Sequence, residues 1–214
     1  MTVLTCSAVL FDCDGVLVDS ARIIDESWTR WALEVGVEPA AVLRALHGRR
    51  SQDTVALFVE DLVERAEALA LIDAIELEDA AGTGAIPGAR ELLASIPEDR
   101  WAVFTSGSVP LATARLTAAG IQIPKVFITG DRVTHGKPHP EGYLAAARGL
   151  GFAPGECVVV EDAAPGIRAG REAGVRYVVG VGSHGFGDEV PDAVVADLSE
   201  MSWNGAGLSV AVGN

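Results

Sequence analysis

Two aspartates one residue apart, Asp12 and Asp14, close an apolar run and are followed at once by Gly15. The run Val3-Leu4-Thr5-Cys6-Ser7-Ala8-Val9-Leu10 reads as one buried strand. Residues i and i+2 of an extended segment point the same way, so both carboxylates can face one reacting centre. Acids at the end of a buried strand lose hydration, and the usual compensation is a metal ion or a cationic clamp at the strand's carboxyl end. Gly15 lets the backbone turn sharply and approach a ligand. The plain alternative is an Asp-Gly turn after a strand. Three further stretches bear on the choice. Thr105-Ser106-Gly107 ends another apolar run, with a hydroxyl and then a turn whose amides precede a helix start, which suits a phosphate or another anion. Lys137 stands between Gly136 and Pro138. Glu161 and Asp162 follow Cys157-Val158-Val159-Val160. Hard oxygen ligands in this number suit Mg²⁺ rather than zinc. A lysine, a hydroxyl and backbone amides suit a phosphoryl group.

The elements that must position these groups follow from periodicity and punctuation. From Ile86 onward strands alternate with helices. Strands are predicted at Trp101–Thr105, Val126–Thr129, Cys157–Glu161, Tyr177–Val181 and Ala193–Val195. Helices are predicted to open at Pro87-Gly88, Ser108, Pro140 and Pro165, and the last three to close near Gly120, Gly149 and Gly174. Such alternation means a parallel sheet with right-handed crossovers and helices on both faces. The catalytic candidates then all stand at the carboxyl ends of strands, along one edge of one sheet. Residues 20–82 read differently, as helices only. Ile23, Ile24, Ser27, Trp28, Trp31 and Val35 recur at helical spacing up to Gly36, and the two tryptophans are expected in a core. A short helix over Pro39–Leu46, a polar break at His47–Ser51, a helix capped by Ser51 or Asp53, and an Ala- and Glu-rich helix to about Leu77 follow. Gly82-Thr83-Gly84 reads as a linker or hinge. The expected organisation is an α/β core of residues 1–19 and 83–214 with an inserted helical cap over 20–82.

Thirty acids stand against 16 lysines and arginines, for a formal net charge of −14. That balance argues against a nucleic-acid or anionic-membrane partner, which would need basic patches. An anionic substrate must be held by a few local cations. Arg49-Arg50 is the one adjacent basic pair in the chain, and it lies in the cap break beside His47 and Gly48. His47, Arg49 and Arg50 are therefore expected on a loop at the mouth of the core, with one or both arginines on the substrate. Cys6, Cys13 and Cys157 are odd in number and form no Cys-x-x-Cys, which fits reduced thiols in the cytoplasm. No basic flank precedes a long apolar run at the N-terminus, so no signal peptide is expected, and no apolar stretch reaches membrane-spanning length.

With these four stretches in order, the sequence resembles the haloacid dehalogenase-like phosphohydrolases. The resemblance rests on Asp12-Cys13-Asp14-Gly15-Val16, on Thr105 after an apolar strand, on Gly136-Lys137-Pro138, and on Glu161-Asp162 within Val-Val-Val-Glu-Asp-Ala-Ala-Pro-Gly-Ile. Trp101–Gly107, Phe127-Ile128-Thr129, Gly136–Glu141 and His47-Gly48 are similar to its branch of small sugar-phosphate and glycerol-phosphate phosphatases. The resemblance implies a Rossmann-like parallel-sheet core with a helical cap. It also implies Mg²⁺-dependent hydrolysis of small phosphate monoesters such as sugar or polyol phosphates. It makes Asp12 the nucleophile that becomes an aspartyl phosphate, and Asp14 the acid for the leaving alcohol and then the base for water. It places Mg²⁺ on Asp12, the Asp14 carbonyl and Asp162, with Glu161 nearby, and sets Thr105 and Lys137 on the phosphoryl oxygens. Ser106 and Gly107 count with the substrate-binding residues. The expected partner is a small phosphorylated metabolite; a monomer is expected, with a dimer as the alternative. A metal-free dehalogenase would leave Asp14 and the Glu161-Asp162 pair without purpose. A β-phosphoglucomutase-like enzyme shares all four motifs, but similar mutases carry a histidine where this chain has Ile24. A non-catalytic binding module would be expected to lack the nucleophile or the acid, and both are present.

Overall fold

The computed structural model describes residues 2–182 and 186–211. The chain opens with β1 (Thr2–Thr5), β2 (Ala8–Phe11) and β3 (Val18–Asp19). Four helices follow: α1 (Ala21–Val35), α2 (Pro39–Leu46), α3 (Ser51–Phe58) and α4 (Leu62–Asp79). Next come β4 (Gly84–Ala85), α5 (Ala89–Ser95), β5 (Trp101–Phe104), α6 (Val109–Ala118) and β6 (Phe127–Ile128). The remainder is α7 (Glu141–Leu150), β7 (Cys157–Glu161), α8 (Ala164–Glu172), β8 (Tyr177–Val181), β9 (Ala193–Val195), β10 (Met201–Trp203) and β11 (Gly207–Val210).

Six strands form one parallel sheet in the order β6-β5-β2-β7-β8-β9. β2 and β7 lie at its centre, and every residue of both is buried, as expected of strands covered on two faces. On one face Val9, Phe11, Val103 and Val160 pack against Leu92, Leu93 and Leu116 of α5 and α6. On the other, Leu10, Phe104 and Val159 pack against Tyr143, Ala146 and Ile167 of α7 and α8. Strand order reverses direction around β2, which is where an open parallel sheet leaves a crevice for ligands.

The single strand expected over residues 3–10 is two strands. β1 leaves the main sheet at Cys6-Ser7 and pairs antiparallel with β11, from Thr2↔Val210 to Thr5↔Gly207. β10 completes that small sheet on the other side of β11. Only Leu4 of β1 is buried, so β1 is a half-exposed strand while β2 is a fully covered one. An uninterrupted apolar run conceals that difference, because β1 owes its place to a partner at the far end of the chain. β10 (Met-Ser-Trp) and β11 (Gly-Leu-Ser-Val) are short and carry no strong pattern of their own.

Residues 21–82 contain only helical elements. Trp28, Trp31, Val42, Leu46, Val55, Ile72 and Ile75 form their own apolar core. The two tryptophans meet edge to face at 5.2 Å, and the Trp31 indole N–H donates to the Ala68 carbonyl at 2.8 Å. α1 ends at Gly36, whose φ of +78° few other residues would accept. Asp61 caps α4 through the amides of Val63 and Glu64. α3 departs from expectation: Arg50 holds its cap position, and neither Ser51 nor Asp53 caps it. The Asp53 carboxylate is taken by the Arg50 guanidinium instead. The two crossings between core and cap run side by side, since β3 and β4 pair antiparallel. The expected hinge at 82–84 is therefore partly a strand. No helix among the described residues is long and apolar enough to cross a membrane.

Candidate active site

Asp12 follows β2 directly, and its amide donates to the Val160 carbonyl of the neighbouring strand at 3.0 Å. Lys137, from the loop before α7, reaches the same place. Its Nζ lies 2.6 Å from Asp12 Oδ1 and 2.6 Å from Glu161 Oε1. All three side chains are buried. Its Nζ also lies over the rings of Phe104 and Tyr143, 5.1 and 5.7 Å from their centres. Tyr143 donates its hydroxyl to Glu161 Oε1 at 2.7 Å, and the Asp162 amide donates to Oε2 at 3.1 Å. Glu161 is thereby fixed on both oxygens, and it in turn fixes Lys137.

The electrostatics follow from this crowding. Burial and the Glu161 carboxylate push Asp12 up to about 7, against the pull of Lys137. Burial alone would lower the lysine, but Asp12 and Glu161 reverse that and hold it above its ordinary value. Asp162 is raised well above the ordinary carboxylate range by burial and by its neighbours Asp12 and Glu161. Asp12, Glu161 and Asp162 each offer an oxygen, all within 4.8 Å of one another. Three carboxylates sharing one lysine leave negative charge uncompensated, and an all-oxygen donor set fits a hard divalent cation. Gly15 belongs to the same arrangement. It has a φ of +75°, and a Cβ there would run into the Asp162 carboxylate.

Asp14 stands beside this cluster. Its Oδ1 accepts from Ser20 Oγ at 2.7 Å and from Arg115 Nη1 at 3.0 Å. Thr105 directly follows β5 and is fully buried, and its Oγ1 accepts the Gly107 amide at 3.1 Å. Ser106 Oγ donates to the Gly48 carbonyl at 2.9 Å, which ties this turn to the cap loop. Asp12, Asp14, Thr105, Ser106, Gly107 and Asp162 all line one cleft between core and cap. Lys137 and Glu161 do not line it; Lys137 reaches it through its ion pair with Asp12.

The sequence model for "haloacid dehalogenase-like hydrolase" matches residues 6–174. The chain belongs to the haloacid dehalogenase-like hydrolases. Hexitol phosphatase A of Escherichia coli is 42% identical over 180 residues, spanning 81% of this chain and 82% of that protein. 2-Deoxyglucose-6-phosphate phosphatase 1 of Saccharomyces cerevisiae is 34% identical over 96% of this chain and 94% of its own length. Among solved structures, a hydrolase from Pseudomonas syringae superposes with a TM-score of 0.80 at 26% identity, covering 90% of this chain and 94% of that one.

The cap side of this hydrolase's cleft divides the three residues expected there. His47 and Arg49 line it. His47 is exposed, with Nε2 3.8 Å from Asp25. Arg50 does not line it. Its guanidinium is buried in the opposite direction and donates to the carbonyls of Val133 and Thr134 at 3.1 and 3.2 Å. It also grips Asp53 at 2.7 and 2.9 Å. The start of α3 aims Arg50 at the loop over residues 130–136, so it joins cap to core and stands outside the cleft lining. Ile24 and Trp28 supply an apolar part of the wall.

Arg115, Glu76, Tyr143 and Ser20 were not singled out by sequence reasoning. Arg115 and Glu76 had a signal. Each is a charged residue on the buried stripe of its helix, Arg115 four residues after Leu111 and Glu76 four after Ile72. A second cluster, His135, His139 and Glu141, lies at the surface. Glu141 accepts the amides of Thr134 and His135 at 2.8 and 3.0 Å, which holds its carboxyl down at about 2. That cluster pins the loop that carries Lys137 into α7.

Proposed function

We propose that this protein is a Mg²⁺-dependent phosphatase of small phosphate monoesters, sugar or polyol phosphates, acting through an aspartyl phosphate on Asp12. The observation that carries the reading is Lys137 held between Asp12 and Glu161, with Asp162 across Gly15, at the carboxyl edge of the sheet. A carboxylate attacks a phosphate dianion only where positive charge offsets the repulsion. Lys137 supplies one such charge. Mg²⁺, when bound by Asp12, Asp162 and the Asp14 carbonyl with Glu161 nearby, would supply the rest. Thr105 then holds a phosphoryl oxygen together with Lys137.

The chemistry proceeds in two displacements. An oxygen of Asp12 bonds to phosphorus as the ester P–O bond breaks, and the departing alcohol takes the proton from Asp14. Water then attacks the aspartyl phosphate and gives its proton back to Asp14, which frees phosphate and restores Asp12. Ile24 lines the cleft where similar mutases carry a histidine, and an alkyl side chain moves no proton, which favours water as the acceptor. The polar cap wall of His47, Arg49, Ser51 and Glu76 suits a substrate with several hydroxyls. The names of the hexitol and deoxyglucose phosphatases support the same class. Cys6, Cys13 and Cys157 are free and buried, which supports a reducing, cytoplasmic setting.

The test is turnover of p-nitrophenyl phosphate with and without Mg²⁺, followed by hexitol phosphates, 2-deoxyglucose 6-phosphate and glycerol phosphates. Mg²⁺-dependent release of phosphate is expected, with kcat/KM for one polyol or sugar ester above that for the aryl ester. No turnover of any ester with Mg²⁺ present would overturn the reading.

A further inference from the structure

Arg115 presents a charge where α6 should present a hydrocarbon. Its side chain is 2% exposed, between Leu111 and Leu116 on the helix's buried stripe. One arm, Nη1, donates to Asp14 Oδ1 at 3.0 Å; the other, Nη2, donates to Glu76 Oε1 at 3.0 Å. Glu76 belongs to cap helix α4, is itself buried, and takes a further bond at 3.3 Å from the hydroxyl of Ser51. Arg115 Nε is buried with no hydrogen-bond partner among the described residues. All three charged groups line the cleft.

A buried ion triad is a poor device for stability, because desolvating the charges offsets most of their attraction. A leucine at position 115 would fill the stripe at less cost. What the arginine provides is direction. Its planar fork holds two acceptors in a fixed relation, which a lysine does less well. Ser20 and Arg115 both bind Oδ1 of Asp14, and neither engages Oδ2. The carboxylate is thus held against rotation with its second oxygen left for the reacting group. The charge of Arg115 is divided between Asp14 and Glu76, so Asp14 does not face an undivided cation.

We propose that Arg115 is a positioning residue for Asp14, and that Glu76 of the cap sets Arg115 in turn. The docking of cap on core then determines whether Asp14 can hand a proton to the leaving alcohol. This inference rests on the phosphatase reading. It assigns a task to a core helix that supplies no residue to the phosphoryl clamp, and it makes a cap carboxylate part of the proton-delivery geometry.

Two esters of nearly equal size separate this from a structural role. p-Nitrophenol departs as an anion without help, whereas phenol needs a proton as its bond to phosphorus breaks. In wild type, Arg115→Gln, Arg115→Lys and Glu76→Gln, kcat/KM is measured for p-nitrophenyl and phenyl phosphate with Mg²⁺. Arg115→Gln is expected to lower phenyl phosphate hydrolysis by about tenfold or more, and p-nitrophenyl phosphate by about threefold at most. Arg115→Lys should recover part of the difference. Glu76→Gln should shift the ratio the same way by a smaller factor. Equal losses on both esters, or none, in folded variants would overturn the proposal. If Arg115→Gln does not fold, an unchanged ratio in Glu76→Gln overturns it. Wild-type protein that hydrolyses neither aryl ester nor any sugar or polyol ester with Mg²⁺ refutes the phosphatase reading and this proposal with it. Wild-type turnover with an unchanged ratio refutes this proposal alone.

Discussion

At the scale of single residues, the site is a problem of unlike charges in a dry place. Asp12 and Glu161 are buried, and Lys137 is shared between them at 2.6 Å each. Removing Lys137 would leave two buried carboxylates uncompensated, whereas removing one carboxylate still leaves the lysine a partner. Asp12→Asn keeps the shape and removes both the negative charge and the proposed nucleophile. The variant is expected to fold, because Glu161 still pairs with Lys137. Its turnover of p-nitrophenyl phosphate is expected to fall by about a thousandfold or more, ~4 kcal/mol in barrier. Steady-state assays beside a thermal melt check both halves. Activity within about tenfold of wild type would mean that Asp12 is not the attacking group.

At the scale of elements, the break between α2 and α3 does two separate jobs with two adjacent arginines. Arg49 is exposed and lines the cleft. Arg50 is buried and bonded to loop carbonyls of the core across 80 to 84 residues of sequence. Gly136 permits the approach, since a Cβ there would fall 2.7 Å from Arg50 Nε. The two substitutions are therefore expected to differ in kind. Arg50→Ala should cost about 2 kcal/mol of stability, the scale of a charged hydrogen-bond donor lost from a buried site. Arg49→Ala should leave stability unchanged and lower kcat/KM for a sugar or polyol ester more than for p-nitrophenyl phosphate. Urea unfolding and paired kinetics measure the two effects. A destabilised Arg49→Ala beside a neutral Arg50→Ala would reverse the assignment.

At the scale of the whole molecule, core and cap meet over the one cleft that holds the carboxylates, and cation binding should register in global stability. Asp12 is raised to about 7 without metal. A carboxyl raised in the folded state favours folding while protonated, so its contribution is present below its unfolded value and is lost as pH rises through about 7. Metal and proton compete for the same oxygens. Mg²⁺ should therefore raise the melting temperature of chelator-treated protein more at about pH 8 than at about pH 5. Asp12→Asn should flatten that difference. Equal Mg²⁺ increments at both pH values would place the cation elsewhere. Calcium is expected to stabilise as well, yet to inhibit turnover, because it takes more ligands and tolerates a bidentate Asp12.

Much of the site was legible in the sequence because its chemistry is local to strand ends. Asp12, Thr105 and Glu161 each follow an apolar run directly, Asp14 and Asp162 stand within two residues of such an end, and a parallel sheet gathers these ends on one edge. The parallel core and the helical character of residues 21–82 followed from period and punctuation in the same way. What tertiary structure decided are the partnerships between distant segments. β1 is a separate strand only because β11 lies beside it. Arg50 faces the core loop and not the cleft because of how α3 docks. Arg115 reaches Asp14 across 101 residues of sequence and Glu76 across 39. Periodicity marks such residues as charges out of place on a buried stripe. It does not say what stands opposite them, because that depends on how two helices, each satisfied in its own pattern, are brought face to face.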